Sequence, residues 1–298
     1  MRQPIEDLLK DYHQNELPKN PKTLVFKGVD GYDVYNPSSP FLFEGKELIL
    51  ARVEKRDSEV SKSVYFENQN GIYVKREDLT PLDLQDPCIT KIGLDFVVGG
   101  TYVFHENGQV RWYTRFYKGD HPNNLKVSLN APMGMKDVRL IELPDGRIGV
   151  FTRPQGEKGK RGQIGFDIAN SYDEVTTEFI DKAPLFEQFI LTEWGGANHL
   201  LMLDDHTIGV LGHIANFSGN DIRHYYSMTF KVDIRTKQAS PMKLIAAREH
   251  FNPGPSKRDD LIDVLFSAAL VPLNKNTYTL YVGVSDAEVQ TIEVSNPF

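Results

Sequence analysis

Leu94 to Tyr117 contains Phe96-Val97-Val98-Gly99-Gly100-Thr101-Tyr102-Val103-Phe104, a turn at Glu106-Asn107-Gly108, and then Val110-Arg111-Trp112-Tyr113. Apolar and aromatic residues fill both arms, and Asn-Gly is the pair a tight hairpin turn needs. The segment predicts a strand, a turn and a second strand. The same order recurs along the chain. A polar residue, usually Asp or Asn, opens an apolar strand at Asn36-Pro37-Ser38, Asp86-Pro87-Cys88, Asp137-Val138-Arg139, Asn198-His199-Leu200 and Asp263-Val264-Leu265. Each strand runs into a turn, at Glu44-Gly45-Lys46, Gly93-Leu94-Asp95, Pro144-Asp145-Gly146, Asp204-Asp205-His206 and Asn274-Lys275-Asn276, and a second apolar strand follows.

Successive openers lie about 50 to 65 residues apart, at or somewhat above the period of one four-stranded propeller blade. Five such units predict an all-β fold, a five-bladed β-propeller, as a single domain over 1–298. Residues 1–20 form a lead-in, in which Ile5, Leu8, Leu9 and Tyr12 carry the i, i+3, i+4, i+7 stripe of a short amphipathic N-terminal helix. That helix is expected against the outside of a blade or across one end of the ring. Blade boundaries are expected near residues 20, 75, 125, 180 and 245, with Gln290–Val294 closing the ring on the first blade. Polar insertions at 156–161 and 250–260 are expected on the faces, around the channel mouth. Repeated Asp and Asn at equivalent strand starts converge on one axis, and so predict a polar pocket.

Composition narrows the partners. Hydrophobic residues make up 40% of the 298 positions and charged residues 25%, an ordinary globular balance. A net charge of −7 and no broad basic surface speak against nucleic acid, and no apolar run is long enough to span a bilayer. The start of the chain has a charge but no apolar stretch behind it, so it does not read as a secretory signal. One cysteine, Cys88, excludes an internal disulfide and suits a reducing compartment. Cytoplasmic residence is the expectation, with oligomer formation left open.

Several segments resemble glycoside hydrolase family 130. Lys136-Asp137-Val138-Arg139-Leu140, followed by Gly146-Arg147-Ile148-Gly149-Val150-Phe151-Thr152-Arg153-Pro154, is similar to its lysine–aspartate strand and arginine–proline ending. Asn36-Pro37-Ser38 with Leu50-Ala51-Arg52-Val53-Glu54 resembles its first-blade motif, and Leu280-Tyr281-Val282-Gly283-Val284-Ser285-Asp286 its last-blade segment. Asp86-Pro87 stands where that family has its aspartate–proline pair. The chain as a whole resembles an uncharacterised propeller family allied to those enzymes.

The resemblance implies a five-bladed propeller that cleaves a β-mannoside or related short oligosaccharide, by phosphorolysis or hydrolysis, with inversion. It needs no cofactor and no metal, and inorganic phosphate is a candidate co-substrate. Asp86 is then the proton donor, with Asp263 and Asp286 as further candidate catalytic carboxylates. Asn36, Arg52, Glu54, Lys136, Asp137, Arg153, Trp194, Asn198 and His213 are candidate substrate ligands. Two departures bear on the nucleophile: Cys88 follows Asp86-Pro87 in place of Arg, and Glu193-Trp194 precedes the fourth-blade glycines in place of Lys.

Each residue has a plain structural reading beside this one. An Asp opening a strand can accept backbone N–H groups; Lys136 and Asp137 can be a surface ion pair; Asp286 can cap a turn; Trp194 can stack on a pyranose face or fill a gap between blades. Arg52, Arg56, Lys136, Arg139 and Arg153 are the cations that can line the pocket, since guanidinium groups suit oxyanions. Trp112 reads as blade packing, the basic Gly156–Gly162 stretch as a mobile surface loop or lid, and Cys88 as a buried structural thiol. His199, His206 and His213 recur every seventh residue, yet strand alternation and an intervening turn set them apart. A non-catalytic propeller that binds a glycan or protein is the competing expectation, because fold alone does not choose.

Overall fold

The computed structural model describes residues 2–298. Its strands form five sheets set as the blades of a propeller. In the first, Asp33–Tyr35 and Phe41–Phe43 both pair with Lys46–Glu54, followed outward by Ser61–Gln69, Ile72–Lys75 and the parallel Val25–Lys27. The second runs Gln85–Ile92, Asp95–Glu106, Gln109–Gly119, Lys126–Asn130 from axis to rim. The fourth begins with Trp194–Asp204, Thr207–Ser218 and Ile222–Asp233 and ends in two short edge pieces, Gln238–Ala239 and Lys243–Ala246.

The third blade departs from the expected four strands. It holds Arg139–Glu142, Ile148–Thr152 and Gly165–Ala169 only. Its outer edge is covered by the segment Pro184–Phe186, which bridges to Gly165 through Leu185 and accepts the Phe166 N–H at the Pro184 carbonyl at 2.9 Å. Ahead of it comes the helix Thr177–Lys182, started by Thr176, whose hydroxyl accepts the Phe179 N–H at 3.1 Å. Ile180 of that helix is fully buried against Ala169 and Val175.

Ring closure also differs from the expectation. Glu288–Ser295 pairs not with the first blade but with the lead-in strand Lys19–Thr23, which becomes the outer strand of the fifth sheet beside Leu265–Pro272 and Thr277–Val284. The chain then crosses into the first blade through Val25–Lys27. Pro21 is tolerated there because it sits on a sheet edge, where the register slips between Lys19 and Lys22. One sheet thus joins the chain's first strand to its last, which holds the ring shut.

The core lies between blades. Phe43, Leu48, Leu50 and Tyr65 of the first pack on Phe96 and Val98 of the second, Val97 and Phe116 on Leu140 and Val150 of the third, and Leu211 and Ala246 on Leu265 and Leu280. The helix Ile5–Tyr12 joins the cluster shared by the third and fourth blades, burying Ile5, Leu8 and Tyr12 as the stripe requires. No blade buries its own faces alone. Among the described residues no helix is long and apolar enough to cross a membrane.

Candidate active site

Three openers of the repeat, Asn36, Asp86 and Asp137, meet one turn residue, Asp286, at one end of the axis. Asn36 sits in the break between the two innermost strands of the first blade, Asp86 within a bulge of Gln85–Ile92, and Asp137 just ahead of Arg139–Glu142. Asp286 comes from the tight turn between the second and third strands of the fifth blade. All four have left-handed backbone, with φ of 45°, 51°, 55° and 50°. Asn and Asp are the side-chain-bearing residues that tolerate this region best, and the twist turns their heads out of the sheet and toward the axis. Such conformations cluster at functional sites.

The heads are joined. The Asn36 amide Nδ2 donates to Asp86 Oδ1 at 2.8 Å and to Asp286 Oδ1 at 3.3 Å. Gly283 makes room for this clamp, because a Cβ there would lie 1.8 Å from Asn36 Oδ1. Arg52 reaches Asp86 at 3.4 Å with one terminal nitrogen and gives its other two to Glu54. On the far wall, Arg153 donates to Asp137 Oδ2 at 2.9 Å and to the Gly195 carbonyl at 2.9 Å. Gly196 has no side chain to collide with the Arg153 stem, which passes 2.8 Å from its would-be Cβ.

A cavity of 290 Å³ lies between these walls, at the small end of the usual range for ligand sites, about 300–1,000 Å³. Six cations (Arg52, Lys136, Arg153, Arg223, Lys257, Arg258) and four carboxylates (Glu59, Asp86, Asp137, Asp286) line it. Among the described residues Lys136 and Asp286 are the lining charges that form no ion pair within the chain. Beside it lies a second, 80 Å³ hollow, bounded by residues of all five blades, with Phe266 on the border of both.

The surroundings set protonation. Burial, and next the neighbouring Asp86, raise the Asp286 carboxyl above the ordinary range. Burial also opposes ionisation of Asp137, yet Arg153 and Arg139 override it and bring that carboxyl below its ordinary value. His213 is pushed down to about 3, by burial and then by Arg153, so its ring is neutral. Its Nδ1 meets Asn198 Oδ1 at 2.8 Å, its ring stacks on Tyr225, and Nε2 has no partner in the chain.

Eight expected residues line this cavity: Asn36, Arg52, Asp86, Lys136, Asp137, Arg153, His213 and Asp286. Four stand outside its lining. Asp263 pairs with His224. Trp194 is buried among Phe217 and Tyr225 and donates its N–H to the Tyr225 hydroxyl at 3.1 Å, so its faces are not free for a sugar. Glu54 is 1% exposed and bound by Arg52 and Lys257. Asn198 lines the second hollow and holds His213 from behind.

Two further expected cations are elsewhere: Arg56 pairs with Asp33 at the surface, and Arg139 lines the second hollow, bonded to the Asn198 carbonyl at 2.8 Å. The Gly156–Gly162 stretch, expected as a loop, opens with a short helix, Gly156–Gly159. Cys88 is only half-buried by its residue surface, though its thiol is enclosed, and burial raises it. Sequence reasoning missed Glu59, Gln85, Arg223, Tyr225, Lys257 and Arg258. The insertion expected at the mouth, 250–260, is the one signal that pointed to any of them. Among the described residues no three His, Cys, Asp or Glu side chains are grouped to hold a metal.

Fold and site together define a five-bladed propeller with a charged, two-walled axial cavity. The family described as "Protein of unknown function (DUF1861)" matches residues 10–298, and the chain belongs to it. No curated protein matches. Among solved structures, a mannose phosphorylase from Leishmania mexicana in complex with phosphate ion is 33% identical, with a TM-score of 0.92 over 99% of this chain and 93% of that one. A GDP-Man-dependent mannosyltransferase from the same organism is 29% identical, with a TM-score of 0.90 over 99% and 95%. A structure from the GH130 family of mannoside phosphorylases is 15% identical, with a TM-score of 0.59 over 89% and 87%, a likeness of fold alone. The placement beside family 130 made from short motifs is borne out.

Proposed function

We propose that the chain is a carbohydrate-active enzyme that transfers a mannosyl group from a β-mannoside to inorganic phosphate, with inversion at the anomeric carbon. The observation that carries this reading is the opposition of two unlike walls across one cavity. On one wall Asp86 and Asp286 share the Asn36 amide. On the other, Arg153 and the neutral His213 line the same space. Similarity to a mannose phosphorylase that holds phosphate supports the choice of both substrates.

Cleavage requires a proton on the departing oxygen and a nucleophile at the opposite face of the sugar. The Asp86–Asp286 pair supplies the proton. Asp286, with its raised proton affinity, is the member that holds it, and Asp86 accepts from Asn36 and Arg52 beside it. Phosphate oxygen attacks C1 as the C1–O bond breaks; the leaving hydroxyl takes the proton, and the product is an α-mannosyl phosphate. Arg153, aimed by Asp137 and the Gly195 carbonyl, seats the phosphate, with Arg223 adding positive charge at the mouth. Lys136 and Asp137 contact sugar hydroxyls. Arg52 is committed to Glu54 and Asp86, so it belongs to the acid wall and not to the phosphate seat.

Purified protein incubated with β-manno-oligosaccharides, with and without phosphate, tests the reading. Sugar release that depends on phosphate is expected. No release from a broad glycoside panel contradicts it, and equal release without phosphate turns it into hydrolysis. A second reading, mannosyl transfer from a nucleotide sugar, draws on the likeness to the GDP-Man-dependent enzyme. Consumption of GDP-mannose in the presence of mannose, with no phosphate-dependent turnover, favours it.

A further inference from the structure

One aromatic residue stands beside the cavity without belonging to the blade core. Trp112, on Gln109–Gly119 of the second blade, is only half-buried. Its indole N–H donates to the Gly134 carbonyl at 3.1 Å, and its own carbonyl accepts the Gly134 N–H at 2.7 Å, so ring and backbone are both fixed. The Lys136 ammonium lies 5.5 Å from the ring centroid, and Lys136 is a lining residue of the cavity. Cavity and indole are therefore continuous through one side chain.

The ground around Trp112 is apolar and open. Val103 is its cross-strand partner, and Val110, two residues earlier, projects on the same face of the hairpin. Val110 is 52% exposed and Met133 53%. A fixed indole, an aliphatic border and an ammonium at the inner edge suit one chemistry: the C–H face of a pyranose, with Lys136 donating to a ring hydroxyl. A protein partner needs a far larger apolar area than this.

We propose that Trp112 is the floor of an outer sugar subsite, which takes the part of an oligosaccharide that leaves on cleavage. The inference rests on the phosphorolysis reading for its direction. The phosphate seat lies by the third and fourth blades, so the leaving chain departs past Asp86 and Lys136 toward the second. The enzyme thereby distinguishes longer mannosides from the disaccharide.

The test uses the full chain and β-1,2- and β-1,4-linked mannobiose and mannotetraose. Two measurements are made on wild type, Trp112→Ala and Trp112→Phe. The first is the ratio of kcat/KM for tetraose over biose with phosphate. Stacking of one ring is expected to set this ratio at roughly tenfold in wild type; Trp112→Ala brings it near one and Trp112→Phe keeps most of it. Because Lys136 leans on the ring, the ratio and not the absolute rate is the readout. The second is tryptophan fluorescence during tetraose titration, since Trp194 is buried and Trp112 is not. A spectral shift that saturates in wild type and is lost in Trp112→Ala supports the subsite even if no phosphorolysis occurs, which separates its failure from that of the functional reading. A ratio unchanged by Trp112→Ala, or tetraose binding with no fluorescence change, overturns the proposal.

Discussion

Asn36 is the residue on which the acid wall turns. Its single amide nitrogen holds two carboxylates that would otherwise repel, and its left-handed backbone is what aims it. The Asp or Asn at the openings Asn36, Asp86 and Asp137 was legible in the sequence for this reason: a strained position selects residue types that bear the strain. Asp263 carried the same signal and misled, since a paired histidine absorbs it. Arg223 and Tyr225 carried no signal, because strands away from the axis reach the site without fixed spacing, and Lys257 was signalled only by the polar insertion that holds it. Replacing Asp86 or Asp286 by Asn is expected to lower phosphorolysis by at least about a hundredfold, while circular dichroism stays native.

Stability moves the other way for Asp286. Its folded proton affinity exceeds the unfolded one, so the native state binds more protons between the two pKa values and loses stability as pH rises through that window. Above the ordinary carboxylate range, keeping this group in the folded site costs stability whichever form it takes, and Asp286→Asn removes that cost. Thermal unfolding is expected at a higher temperature for this variant than for wild type at pH 7, with the gap closing below the unfolded carboxylate pKa. A lower unfolding temperature at pH 7 contradicts the assignment of Asp286 as the buried, proton-holding member.

At the scale of elements, the end of the strand before Asp286 is tightly constrained. Gly283→Ala places a methyl on Asn36 Oδ1 and the Asn36 nitrogen, at 1.8 and 2.7 Å from the ideal Cβ. A stability loss of about 1–3 kcal/mol is expected, together with loss of activity, read by denaturant unfolding and turnover on the same sample. The N-terminal helix obeys simpler packing rules. Leu8 is 2% exposed in the cluster shared by the third and fourth blades, and Leu8→Ala is expected to cost about 2–5 kcal/mol. Its stripe was readable from periodicity, whereas the helix Thr177–Lys182 that interrupts the third blade was not. It depends on Thr176 capping six residues, a local event with no repeat behind it.

The whole molecule is held as a ring by one edge. Five apolar strand pairs at near-even spacing were enough to predict the propeller, because each blade must bury its faces on its neighbours. How the ring shuts was not readable, since Lys19–Thr23 is fully exposed and has no strand-like pattern of apolar residues. Deleting residues 1–24 strips the outer strand from the fifth blade and the helix from the third and fourth. The deletion is expected to abolish the single cooperative unfolding transition that we infer for the full chain, as followed by scanning calorimetry. An unaltered transition assigns closure to other contacts.

The two-walled cavity is tested most directly by a crystal structure of the protein soaked in mannose and inorganic phosphate. The account predicts a sugar beside Asp86 and Asp286 and a phosphate bonded to Arg153 on the opposite wall, with the anomeric carbon between them. Phosphate bound away from Arg153, or a cavity that takes neither ligand at saturating concentration, contradicts it.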